Sequence, residues 1–265
     1  MGVRTAITPS GWGQPRVVAV GGAPVFSVEL GPSGGATVVC VHGLGCSSAY
    51  FGPLARALAP HVRVVAMDLP GFGRTPGPDP ALDVRGLSLA LAAWLRTSGE
   101  AGAVLLGHSL GCQVVVDLAT HATDLLGGPG RPGPVLVGPT IDRRARSATA
   151  CGLRLTRDLR HERPSLVPLL GRDYLRCGPR RYAQSLRASI EDRIEDKLQL
   201  VQSETVVVRG ARDAIVPRRW AQEVVAGLPR ARLLEAPGCG HNVNYSAPEA
   251  LAAIVRLHLA NPPVR

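Results

Sequence analysis

The sequence predicts an α/β fold built on one largely parallel sheet, and three observations carry that prediction. Short β-branched runs alternate with helix-length amphipathic stretches along most of the 265 residues. The runs are apolar nearly throughout, as strands covered on both faces must be. The chain is 45% hydrophobic, which is enough to fill the core of one sizeable domain.

Residues 16–20 and 24–30, on either side of Gly21-Gly22, read as an opening antiparallel hairpin. ATVVCV (36–41), VRVVAM (62–67) and AVLLG (103–107) follow as buried strands, each with a helical stretch after it. PVLVG (134–138), ETVVVRG (204–210) and ARLLEA (231–236) bring the total to about eight. In the last helix Ser246 precedes Glu249 by three residues, the spacing of a capping box. Leu251, Ile254, Val255 and His258 then recur at helical spacing, so this helix should lay its apolar face on the sheet.

The interval 139–203 breaks the pattern. It carries 13 arginines and Lys197 against eight acids and has no apolar β-branched run. Pro164, Pro168 and Gly178-Pro179 divide it into three or four helical pieces. It is expected to be an inserted helical cap, with 1–138 and 204–265 forming the core.

The net charge of +10 raises the question of a nucleic-acid partner. Lys197 is the only lysine, the other 29 basic residues are arginines, and Ala, Gly and Pro are abundant, a pattern that looks like coding bias in a GC-rich genome. No nucleic-acid motif or interleaving of basic and aromatic residues accompanies the charge. No stretch approaches the roughly 20 apolar residues of a membrane-spanning helix, and residues 1–16 contain no apolar run after the first arginine. A soluble, cytoplasmic protein is expected, a monomer or homodimer acting on a small molecule. The six cysteines (40, 46, 112, 151, 177, 239) contain no C-x-x-C pair and are expected to be reduced, mostly buried thiols, including the three near the chemistry below, Cys46, Cys112 and Cys239. Neither a metal nor an organic cofactor is expected.

Gly107-His108-Ser109-Leu110-Gly111 directly follows one strand and opens a helix, the context in which G-x-S-x-G is informative. A serine is a poor nucleophile unless a base can reach it, and a sharp strand-to-helix turn lifts its hydroxyl above the sheet edge. Such a turn is strained at the serine, and Gly107 and Gly111 leave room for it because neither carries a Cβ. The Leu110 amide at the new helix start would favour negative charge on a substrate carbonyl oxygen. A second such donor is expected from His42-Gly43-Leu44-Gly45, with Leu44 N–H as the candidate. His42 and His108 read as ordering their loops through hydrogen bonds rather than as catalytic groups.

A base with a pKa near the working pH is needed, and His241 lies in the loop between the last strand and the last helix. Its orienting acid should also sit at a strand end. Asp213, three residues after ETVVVRG, fits best, and Asp142, just after PVLVG, competes. His42, Gly43 and Val216 on these loops, and Tyr174 in the cap, are expected at the substrate pocket. Leu166, Leu169 and Leu170 either join them or pack the cap onto the body.

VHGLG (41–45), DLPGFGRT (68–75), GHSLG (107–111), GARDAIVP (210–217) and PGCGHNVNYSAPE (237–249) together resemble the α/β-hydrolase superfamily over most of the chain. The order Ser109, Asp213, His241 matches that superfamily's triad. The resemblance implies an α/β-hydrolase fold: an eight-stranded sheet flanked by helices, a cap after the sixth strand and a pocket between the two. Asp68 of DLPGFGRT then reads as a loop-ordering residue, with Thr75 where many relatives have serine.

A serine at 109 differs from the aspartate of haloalkane dehalogenases and epoxide hydrolases, so acyl chemistry fits better. Meta-cleavage C–C hydrolases usually have Asn before the serine and Trp four residues after the histidine, where this chain has His108 and Tyr245. The expected activity is hydrolysis of a small to medium, mainly apolar ester through an acyl-serine. A biosynthetic lyase or cyclase, or a C–C bond hydrolase, using the same pocket on a polyketide-like or diketone substrate, the former suited by the Arg-rich cap, and a non-catalytic receptor remain as alternatives.

Overall fold

A computed structural model describes residues 12–127 and 131–260. The reading of residues 1–11 lies outside these. The eight strands are β1 (Gln14–Val20), β2 (Ala23–Leu30), β3 (Thr37–Val41), β4 (Arg63–Met67), β5 (Val104–His108), β6 (Pro132–Val137), β7 (Glu204–Gly210) and β8 (Ala231–Ala236). Each lies within about two residues of its expected place. They form one sheet in the order β1-β2-β4-β3-β5-β6-β7-β8. β2 runs antiparallel to β1 and to β4, and every other pairing is parallel.

Helices cover both faces because every central strand is apolar on both sides. Val39 and Val41 of β3 and Val207 of β7 point into one core, while Val38, Cys40, Val206 and Val208 point into the other. The first core is closed by α2 (Val84–Ser98), α3 (Leu110–Asp117) and α7 (Arg218–Gly227) through Leu91, Val114 and Trp220. The second is closed by α1 (Gly52–Leu58) and α9 (Pro248–Ala260) through Leu54, Leu58, Leu251 and Val255. Each fully buried side chain of this size contributes about 1.5–3 kcal/mol.

Between β6 and β7 lie α4 (Ala148–Asp158), α5 (Leu166–Cys177) and α6 (Pro179–Glu191). Ser147 starts α4 by accepting a hydrogen bond from Ala150 N at 3.1 Å. Gly178, at φ +75°, separates α5 from α6, and Pro179 opens α6. Pro168 breaks nothing: it lies in the first turn of α5, where its missing N–H has no helical partner to lose.

The expected capping box does not form. Ser246 ends a short helix, α8 (Val243–Ser246), and its hydroxyl donates to Glu162 Oε2 at 2.6 Å. The same oxygen accepts from Arg163 N at 3.4 Å, so the hydroxyl is turned toward the segment between β6 and β7 and away from α9, which begins at Pro248.

The strand order places the site. Successive β-α units proceed outward from β3 in both directions, so the loops leaving the carboxyl ends of β3 and β5 part at the centre of the sheet and leave a crevice there. The loops after β7 and β8 open on the same edge because all four strands are parallel.

Candidate active site

Ser109 occupies the turn from β5 into α3 with φ +56° and ψ −119°, the only non-glycine among the described residues with positive φ. Strain of this kind persists only where the surroundings enforce it. Here Ser109 N donates to Val137 O at 2.9 Å, and Ser109 O accepts from Cys112 N at 2.9 Å. A Cβ on Gly107 would lie 2.6 Å from Gly111 O, and one on Gly111 would lie 2.1 Å from Val41 O, so helix and strands close directly onto both glycines. Gly111→Ala is therefore expected to destabilise the fold toward the upper end of the about 1–3 kcal/mol typical of overpacking, measured by equilibrium urea unfolding.

Asp213 is fully enclosed at the end of the β7 loop. Its Oδ1 accepts from Ile215 N and Val216 N, both at 2.8 Å, and its Oδ2 faces His241 Nδ1 at 2.9 Å. That contact fixes the proton of the neutral ring on Nδ1 and turns Nε2 into an acceptor. Nε2 is buried without a hydrogen-bond partner among the described residues. Burial works against a charged ring at His241, but the charge and hydrogen bond of Asp213, together with Asp158 and Glu162, outweigh it and push the pKa up to about 9.

The competing acid is spent elsewhere. Asp142 accepts from Arg154 Nη2 at 2.8 Å, Arg219 Nη2 at 2.6 Å and Arg144 N at 3.0 Å. Burial opposes its charge, yet these donors win and hold its carboxyl below the usual range.

Ser109 and His241 line a cavity of about 320 Å³ together with Gly43, Leu44 and Leu110. The amides of Leu44 and Leu110 donate no hydrogen bond among the described residues. The walls are mostly apolar, with Ile141, Leu155, Leu159, Leu170, Tyr174 and Ile215 prominent. Of the 13 arginines in 139–203, only Arg154 reaches the lining, and it is committed to Asp142 and to Ile215 O. The arginine-rich segment thus supplies no free cation there, which removes the ground for a polyfunctional ligand.

Two expected pocket residues lie elsewhere. Val216 is completely buried in the core, and its backbone, not its side chain, serves the site by holding Asp213. His42 is also buried and off the lining: Nε2 accepts from Leu69 N at 3.0 Å, so Nδ1 donates to Gly43 O at 2.8 Å. Burial lowers its pKa, as a neutral ring with this tautomer requires. Leu166 and Leu169 pack on the body instead of lining the cavity. Asp68 orders its loop as expected, accepting from Ser48 N at 2.6 Å and Arg74 N at 2.8 Å.

Sequence reasoning missed Tyr50. Its hydroxyl accepts from Gly43 N at 2.8 Å and donates its own proton to His108 Nδ1 at 2.8 Å, so His108 Nε2 donates to the His241 carbonyl at 3.1 Å. This chain ties the β3 loop to the histidine loop through two side chains, with His108 held neutral by burial and by the nearby His241. It also missed Asp158 and Glu162, which both line the cavity beside His241. The six cysteines are free thiols, and burial raises those at 46, 112 and 239.

The model of the alpha/beta hydrolase family matches residues 38–254. The chain belongs to that family. This α/β hydrolase is 29% identical over 266 aligned residues to the dihydrolipoyllysine-residue acetyltransferase component of an acetoin cleaving system from Pseudomonas putida, covering 92% of this chain and 70% of that one. It is 28% identical over 240 residues to a pimeloyl-(acyl-carrier protein) methyl ester esterase from Neisseria meningitidis, covering 83% of this chain and 91% of that one. Among solved structures, an enol-lactonase from Burkholderia xenovorans superposes with a TM-score of 0.78 at 17% identity, covering 93% of this chain and all of that one. That likeness shows the shared fold: an eight-stranded, mostly parallel sheet flanked by helices. No helix among the described residues is long and apolar enough to cross a membrane.

Proposed function

We propose that this chain is a serine hydrolase that cleaves a small to medium, mainly apolar ester or related acyl compound through an acyl-Ser109 intermediate. One observation carries the reading: His241 gives Nδ1 to Asp213 and leaves Nε2 without a partner in the ring that shares a cavity with Ser109. Nε2 takes the Ser109 proton as Oγ attacks the acyl carbon, then hands it to the departing alkoxide. The Leu44 and Leu110 amides receive the carbonyl oxygen as it becomes negative. In the second half His241 removes a proton from water, which attacks the acyl-enzyme, and returns it to Ser109. Residues 139–203 act as the cap over this cavity. The similar protein from Neisseria meningitidis is named a methyl ester esterase, which supports the substrate class.

A cavity of about 320 Å³ sits at the low end of the roughly 300–1,000 Å³ typical of ligand sites. Turnover of p-nitrophenyl esters should accordingly peak at short to medium acyl chains and fall for long ones. A folded sample that turns over none of them contradicts the proposal.

The sign of the pH dependence follows from the base. Only neutral His241 can accept the Ser109 proton, and its pKa is pushed up to about 9. kcat/KM therefore rises with pH and reaches half its plateau near that value. A profile that is flat from neutral pH to about 10 contradicts this assignment of the base.

A further inference from the structure

Asp158 is the last residue of α4, and an acid there is locally unfavourable because a helix carboxyl end favours cations. It is also 1% exposed, so its carboxyl is held in place at a desolvation cost. What it meets explains why it is retained. Asp158 Oδ2 accepts from His241 N at 3.0 Å, and Oδ1 accepts from Ala214 N at 2.9 Å. One carboxyl from the segment between β6 and β7 thus clasps the loop of the base and the loop of its acid.

Glu162, one turn further on, repeats the device: Oε1 accepts from Asn242 N at 2.7 Å, and Oε2 accepts from the Ser246 hydroxyl. The two carboxyls converge on Gly240, where a Cβ would lie 2.8 Å from Glu162 Oε1 and 2.9 Å from Asp158 Oδ2. Glycine at 240 is what lets both approach the histidine loop.

We propose that Asp158 is a positioning residue for His241, contributed from the segment between β6 and β7 and assisted by Glu162, so that this segment sets both the place of the base and the negative charge it faces. The inference rests on reading His241 as the general base. The titratable groups around the ring are Asp213 from the β7 loop, Asp158 from the end of α4, Glu162 from the turn after it, His108 from the end of β5 with ring centroids 4.8 Å apart, and Cys239 on its own loop. Asp158 and Glu162 are two of the three carboxyls that favour the protonated ring. Burial pushes the Asp158 carboxyl up to about 7; the neighbouring Asp213 charge and the contact with Glu162 add to this, while His241 and Ala214 N–H oppose it. Asp158 therefore carries its charge through the alkaline range in which His241 loses its proton.

The test is the rate at which a fluorophosphonate labels Ser109, read by intact mass across pH, in wild type, Asp158→Asn and Glu162→Gln, with circular dichroism to establish folding. Asp158→Asn is expected to move the half-point of labelling down by about one pH unit and to lower the alkaline plateau about 10-fold or more. Glu162→Gln, which keeps an acceptor for Asn242 N, moves the half-point in the same direction by less. A purely structural contact would lower the plateau without moving the half-point. A folded Asp158→Asn whose profile superimposes on wild type, or changes in plateau alone, overturns the inference. If Asp158→Asn does not fold, Glu162→Gln decides: a lowered half-point supports the inference and an unmoved one overturns it. Wild type that is not labelled at any pH overturns the assignment of the base itself, and the inference with it.

Discussion

Ser109→Ala is expected to lower kcat for ester hydrolysis about 10⁴- to 10⁶-fold while leaving the fold intact. The proposed nucleophile is lost outright, and no other hydroxyl sits on the strained turn between β5 and α3. Stability should hold because the Ser109 hydroxyl has no hydrogen-bond partner among the described residues, and its removal orphans none. An alanine keeps the same Cβ and bears the same φ +56° that serine does. On the proposed mechanism, the residual rate over water would come from the Leu44 and Leu110 amides and from substrate binding. The check is a p-nitrophenyl ester assay paired with a thermal melt. Retained turnover in a variant with an unchanged melt would mean that the reaction does not pass through Ser109.

Asp213→Asn is expected to cost about 10⁴-fold in kcat, and the physical reason lies in one proton. Asparagine keeps an oxygen that can accept from Ile215 N and Val216 N, so the loop stays in place. The atom facing His241 Nδ1 at 2.9 Å then becomes an amide donor in place of a carboxylate acceptor. The ring responds by accepting at Nδ1 and carrying its proton on Nε2, where it can no longer receive the one from Ser109. The charge that stabilises the imidazolium is lost at the same time.

Asp142→Asn serves as the contrast. Asp142 bonds to Arg154 and Arg219 and has no contact with His241. Its loss should reduce stability and leave most of the turnover. The reverse ranking of the two variants would move the acid to Asp142.

The sheet was legible because strands buried on both faces must be apolar along their whole length, which makes Val38–Val41 and Thr205–Val208 conspicuous against their surroundings. Ser109, Asp213 and His241 were legible for a related reason: parallel strands deliver their carboxyl-end loops to one edge, so chain order and strand ends locate them together. Side-chain direction at that edge was not legible. Val216 sits three residues from Asp213, yet it turns into the core and contributes only its N–H. Ser246 has the spacing of a cap, but Glu162 claims its hydroxyl. Asp158 and Glu162 act by accepting from backbone N–H groups far away in sequence, and Tyr50 by joining Gly43 N to the distant His108 side chain, and no local pattern encodes such contacts. The acid at the end of α4 was the one available signal, a residue placed against the helix dipole.

The most direct test of the account is the intact mass of the protein after treatment with a fluorophosphonate, comparing wild type with Ser109→Ala at alkaline pH, where His241 is neutral. Wild type is expected to take a single adduct that is absent from the variant. An adduct that survives in Ser109→Ala would place the nucleophile elsewhere, and a folded wild type that takes no adduct would contradict the serine hydrolase reading.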